Sequence, residues 1–145
     1  MRAWAQRLDQ SRVRARAGKT ELLPLPKPIR DALSLEYHLQ LEALRAGAGS
    51  LTALRILLRV AMAAAMLRER GYGREQAHAI AEYERIANDA YASGDEGRYV
   101  FDPPAFRMFA ALVTHHDAQL ETAPVRVIDV IARQLERPDA ARCDG

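Results

Sequence analysis

Residues 51–70 run without a glycine or proline between Ser50 and Gly71, and apolar side chains cover most of the circumference that a helix would have there. Leu51, Leu54, Leu58, Ala61 and Ala65 recur at helical spacing, and Leu57, Val60, Ala64 and Leu67 widen the stripe. Arg55, Arg59 and Arg70 mark what remains of a wet side. A helix this apolar must be touched by several neighbours, so the segment belongs at the centre of a bundle. Ser50 suits an N-cap and Gly71 a C-terminal stop. Its longest apolar run, residues 60–67, is eight residues long. A bilayer span needs roughly 20, so no membrane partner is expected.

The flanking segments supply the neighbours. Residues 29–46 can be read two ways. Leu33, Leu35, Tyr37, Leu39 and Leu41 alternate with polar residues, which is a strand signal. The helical reading places Leu33, Tyr37, Leu41 and Leu44 on one face and Leu35 and Leu39 on another. Length, helix-forming composition, Pro28 at the start and Gly47 at the end favour helix. A third helix is expected over residues 74–93, after the Gly71-Tyr-Gly73 turn. Ala77, Ile80, Ala81, Tyr83, Ala87 and Tyr91 would form its inner side, and Glu75, Glu82, Glu84 and Asp89 its outer side. Residues 95–101 read as a loop that is briefly extended at Arg98-Tyr-Val-Phe101. Asp102-Pro-Pro104 then starts a fourth helix reaching about Glu121. Thr122 suits the cap of a fifth helix, with Pro124 in its first turn and its end near Arg137.

The fold class expected is therefore all-α, a compact bundle of about four to five helices in one domain. Its 145 residues fall within the usual domain size of roughly 100–150. The organisation reads as a basic arm (residues 1–20), a proline spacer (21–28), the helical domain (29–137) and a polar tail (138–145). Pro24, Pro26 and Pro28 bar a helix across the spacer and favour an extended, stiff chain that insulates the arm from the core.

Charge is unevenly placed. Residues 1–30 hold eight basic groups against Asp9 and Glu21, a net +6, while the remainder holds 13 basic and 17 acidic groups, a net −4. Arg2, Arg7, Arg12, Arg14, Arg16 and Lys19 could contact phosphates of a nucleic acid with salt-sensitive affinity. The alternative is a solvated tail. Only Lys19 and Lys27 among the 21 basic residues are lysines, a bias that GC-rich coding produces without function. No apolar run follows the arginines, so they do not read as a secretory signal. The single cysteine, Cys143, permits no internal disulfide. A cytoplasmic protein is expected.

The polar clusters do not assemble into chemistry. Glu75 and His78 have the Glu-x-x-His spacing of di-iron bundles, but only one copy is present. His38 with Glu42, and His78 with Glu82, are i,i+4 pairs that lack a third ligand. No metal or other cofactor is expected. His115-His-Asp117 is the densest polar group of the fourth helix. Adjacent helical residues point about 100° apart, so the two histidines do not easily share a target. His116 aligns with Phe109, Leu112, Val113 and Leu120, which suits a core-edge histidine bonded to a neighbour. The other reading is a general base oriented by an acid, and it lacks a serine or cysteine nucleophile. Gly47-Ala-Gly-Ser50 lacks the lysine and spacing of a phosphate loop. The fifth helix, with Arg126, Asp129, Arg133 and Gln134 beside Ile128, Ile131 and Leu135, is an ordinary amphipathic helix rather than a clear recognition helix.

Leu25-Pro-Lys-Pro-Ile29, Tyr37-His-Leu39, Gly71-Tyr-Gly73, Gly97-Arg-Tyr-Val-Phe101 and His116-Asp-Ala-Gln-Leu120 together resemble a group of small helical proteins of proteobacterial plasmids, integrated elements and prophages. Some of that group are described as Fis-like transcriptional regulators. The resemblance spans residues 25–137 and implies a mobile-element accessory or regulatory role without a known activity. No Fis-type recognition helix is legible in this chain. The functional expectation is a non-enzymatic interaction or regulatory protein with a protein partner, the alternative being a nucleic-acid binder that uses the arm.

Overall fold

The computed structural model describes residues 21–73 and 78–136. It is all-helical: α1 (Lys27–Arg45), α2 (Leu51–Glu69), α3 (Ile80–Ser93), α4 (Pro103–Thr122) and α5 (Val125–Leu135). The alternating stretch from Leu33 to Leu41 lies inside α1. A helix can bury only one of its two leucine rows. Tyr37, Leu41 and Leu44 are buried, while Leu33, expected on the same face, is exposed, and Leu35 and Leu39 face outward. α1 starts two residues before the expected Ile29, with Pro28 in its first turn, and stops where Gly47 takes a φ of +78°.

α2 is the centre of the bundle and touches each of the other four helices. The Ser50 hydroxyl caps it, accepting from the Ala53 N–H at 3.1 Å. The buried row is turned slightly from the expected one. It runs through Ala53, Leu57, Val60, Ala64 and Leu67, joined by Leu54 and Ala61, while Leu51 is exposed and Leu58 only half-buried. With apolar residues nearly all round, the stripe's phase is set by the neighbours rather than by α2's own pattern.

α3 starts at Ile80, later than the expected Arg74. Ala79 is its extended N-cap, and Ala77 lies outside the described residues. Its inner face is Tyr83, Ala87 and Ala90; Ala81 and Tyr91, expected inside, are exposed. Tyr91 instead stacks on Tyr99 with ring centroids 5.5 Å apart. In the core, Phe109 of α4 packs edge-on to Tyr83 at 5.2 Å and stacks on Phe101 at 4.9 Å.

Residues 95–101 double back. Asp95 and Arg98 exchange backbone hydrogen bonds around Glu96 and Gly97, both at positive φ, the mirror-image turn that glycine accommodates best. The chain is then extended as expected: Tyr99 pairs with Gly49 in both directions, and the Phe101 N–H donates to the Leu44 carbonyl at 2.9 Å. The Asp102 carboxylate caps α4, accepting from the Ala105 N–H at 2.9 Å. Thr122 belongs to α4's last turn, where its hydroxyl faces the Gln119 carbonyl, and it does not cap α5.

The spacer corrects another expectation. Residues 21–23 form a turn and bend, Lys27 and Pro28 already belong to α1, and the segment packs on the bundle. No side chain caps α5, yet the Val125 N–H donates to the Leu23 carbonyl at 2.8 Å and the Arg126 N–H to the Glu21 carbonyl at 3.0 Å. Two of the free amides of a helix start are thus satisfied by backbone that precedes α1. The Arg30 guanidinium holds the same segment from the other side, donating to the Leu25 carbonyl at 3.0 Å.

Candidate functional site

α1 and α4 lie side by side, and one turn of α1 faces Asp117 of α4. The Tyr37 hydroxyl donates to one oxygen of this carboxylate, and His38 Nε2 lies 2.8 Å from the other. Burial pushes the Asp117 carboxyl up, but hydrogen bonds from Tyr37, His38 and Ser34, with the charge of His38, outweigh it and hold the group below the ordinary aspartate value. The Tyr37 phenol moves the other way, raised by burial first and by its carboxylate partner second. Asp117 is therefore a carboxylate fixed between a neutral phenol and an imidazole. His38 bonds Asp117 rather than Glu42, its i,i+4 neighbour; Glu42 is bonded to Arg45 on the exposed side of α1. His78 and Glu82 do pair, at 3.0 Å, on the surface.

The three residues singled out on the fourth helix do not form one site. His115 is buried under the turn after α2, where a Cβ added to Gly73 would lie 2.7 Å from its ring carbon Cε1. His116, one residue on, points elsewhere. Its Nδ1 lies 3.0 Å from Gln119 Oε1, and its ring lies 5.7 Å from that of Tyr37. Asp117 faces α1.

Gln119 is the residue that sequence reasoning overlooked. It is 1% exposed. Its amide donates to the Ala64 carbonyl of α2 at 3.0 Å and to the Tyr72 carbonyl at 2.9 Å. A signal existed: Gln119 sits seven residues from Leu112 and three from His116, inside an apolar row. A polar side chain placed there must be hydrogen-bonded.

These bonds fix the state of His116. Both amide hydrogens of Gln119 are directed at carbonyls, so its oxygen faces the imidazole and must accept from Nδ1–H. Burial lowers the His116 pKa, so the ring is neutral and Nε2 carries a lone pair. His116 lines a cavity of about 340 Å³ between α1, α2, α4 and α5, walled also by Tyr37, Ile56, Val60, Leu120, Ile131 and Leu135. Glu36 and Arg59 stand at its exposed rim.

The basic residues Arg2, Arg7, Arg12, Arg14, Arg16 and Lys19, and Cys143, lie outside the described residues. Among the described residues, no three His, Cys, Asp or Glu side chains converge as a metal would require, and no helix is long and apolar enough to cross a membrane. On α5, Arg126, Asp129, Arg133 and Gln134 are exposed, and Arg133 is paired with Asp129 at 3.0 Å. The chain matches no protein-family model, no curated protein and no solved structure.

Proposed function

We propose that this chain is a non-enzymatic helical interaction or regulatory module of the cytoplasm, accessory to a mobile genetic element. One observation carries the reading: the polar groups that could do chemistry are bound to one another, while an apolar hollow is left open. Asp117 is held by Tyr37 and His38, and His116 by Gln119. An imidazole beside a carboxylate is half of a general-base arrangement. Here the carboxylate also receives the Tyr37 hydroxyl from the same helix, which suits a structural clasp between α1 and α4. The resemblance of residues 25–137 to proteins of plasmids and prophages supports the accessory role. Affinity capture from the native host, with and without nuclease treatment of the lysate, tests it. A protein partner retained after nuclease supports the module; turnover of a substrate that depends on His38 would replace it with an enzyme.

A second reading rests on the charge asymmetry, +6 in residues 1–30 against −4 in the remainder. In it the chain is a nucleic-acid-binding regulator whose arm contacts phosphates. Binding to duplex DNA at low salt that weakens steeply as salt rises supports this reading. Failure to bind DNA or RNA at low salt removes it.

A further inference from the structure

We propose that the cavity between α1, α2, α4 and α5 binds a small apolar molecule carrying one hydrogen-bond donor, an aromatic N–H or O–H of the indole or phenol class, with that donor on Nε2 of His116. The proposal is independent of the interaction role above. Three observations carry it. The volume, about 340 Å³, lies at the lower end of small-molecule sites. The walls are almost wholly apolar, with Val60, Leu120 and Ile131 among them, and His116 is part of the lining. Finally, the His116 side chain has one nitrogen committed and one not.

The commitment of Nδ1 follows from Gln119, whose two amide hydrogens are fixed on the Ala64 and Tyr72 carbonyls. Nε2 makes no hydrogen bond among the described residues. It is an acceptor on a residue only 6% exposed that lines the cavity. Leaving such an acceptor unpaired costs about 1–3 kcal/mol. Water fills the need poorly, because a buried water requires two to four polar partners. The hydroxyl of Tyr37, which also lines the cavity, already donates to Asp117. A flat apolar ligand with a single donor satisfies the acceptor and the walls together. The charged rim groups, Glu36 and Arg59, stay in solvent and are not required.

Calorimetric titration of the full chain near pH 7.5 with indole and with N-methylindole tests this, because N-methylation removes the donor and keeps the ring system at the cost of one added methyl. Indole should bind one to one, and N-methylindole about tenfold more weakly, the worth of one hydrogen bond. Ala63 of α2 also lines the cavity, and Ala63→Leu, which extends into it, should remove binding of both. His116→Phe should abolish the preference. Should that variant not fold, nitrogen-15 NMR of the parent reads the same atom: Nε2 should show an unprotonated resonance that shifts on adding indole, while Nδ1 stays protonated. Absence of saturable indole binding, equal affinity for the two probes, or a silent Nε2 resonance would overturn the proposal.

Discussion

The side-chain amide of Gln119 crosses from α4 to the backbone carbonyl of Ala64 in α2, 3.0 Å away. Its second hydrogen reaches the Tyr72 carbonyl, and its oxygen receives His116. One buried side chain thus ties α4 to the middle of the central helix and to the turn that follows it, and sets a histidine tautomer as well.

Removing that side chain should be costly. Gln119→Leu fits the space roughly but leaves the Tyr72 carbonyl and the His116 Nδ1–H without partners. A loss of about 2–4 kcal/mol is expected in urea unfolding. Gln119→Glu should be worse, since a carboxylate cannot donate to two carbonyls. A Gln119→Leu protein as stable as the parent would show that the network is dispensable.

The turn on which Gln119 acts separates two effects of a methyl group. Gly71 and Gly73 both have positive φ, 91° and 78°. A Cβ on Gly71 meets nothing within 4 Å, whereas one on Gly73 lies 2.7 Å from His115 Cε1 and 3.1 Å from Gln119 Cγ. Gly71→Ala should cost about 1 kcal/mol, the conformational part alone. Gly73→Ala should cost about 2–4 kcal/mol, because the side chains beneath must move as well. Thermal melts of the two variants give the comparison, and equal costs would dissociate His115 from the turn.

Much of the architecture was legible, for physical reasons. Ser50 and Asp102 were recognisable as caps because their side chains act on amides three residues away. Gly47 was recognisable as a stop because few other residues tolerate its φ. The phases of α2 and α3 were less so. Alanine at 61, 64, 81, 87 and 90 gives a helix little preference for which side goes inward, and Leu51 and Tyr91 were misplaced as a result. The clasp of Tyr37 and His38 on Asp117 joins residues 80 and 79 apart in sequence. No local spacing encodes such a contact. The docking of Leu23 and Glu21 on α5 was hidden likewise, since backbone carbonyls of any sequence could supply it.

The phase of α2 can be measured. Leu57 is fully buried, whereas Leu58 is only half-buried. Leu57→Ala should lose about 2–5 kcal/mol, and Leu58→Ala less than half of that. With aspartate at each position, the Leu57 variant should fail to fold while the Leu58 variant melts cooperatively at a lower temperature. The reverse ranking would return the buried stripe to the phase that spacing alone suggests.

Two groups make stability depend on pH in the same direction. The His116 pKa is lowered in the folded chain by burial, so the unfolded chain binds more protons. The stabilisation is complete above the ordinary histidine value of about 6.5 and falls away as pH drops below it. Asp117 is also lowered, so its contribution is complete above the ordinary aspartate value of about 3.9 and is lost at more acid pH still. Denaturation followed from pH 8 to pH 3 should therefore show two successive declines. Asp117→Asn should flatten the lower one and leave the upper one in place. Tyr37→Phe, which removes a donor to the carboxylate, should shrink the lower decline without abolishing it.

The arm can be cut at two points with different consequences. Deleting residues 1–20 removes Arg2, Arg7, Arg12, Arg14, Arg16 and Lys19 and leaves Glu21 and Leu23, whose carbonyls hold the first amides of α5. That truncation should keep the helical spectrum of the described bundle and its melting transition. Deleting residues 1–26 instead should lower the melting temperature clearly, because Val125 and Arg126 lose their acceptors and Arg30 loses the Leu25 carbonyl. The shorter truncation is thus the fair test of nucleic-acid binding. If the arm clamps DNA, cutting at residue 20 abolishes binding. Arginine-to-alanine changes within the arm should then flatten the plot of log affinity against log salt, by roughly 0.9 in slope for every phosphate no longer neutralised. If the shortened chain still selects one DNA sequence, the exposed face of α5, with Arg126 and Gln134, becomes the place to mutate. If the two truncations melt alike, the docking of residues 21–25 on α5 contributes nothing to stability, and the spacer is the insulator that its prolines suggest.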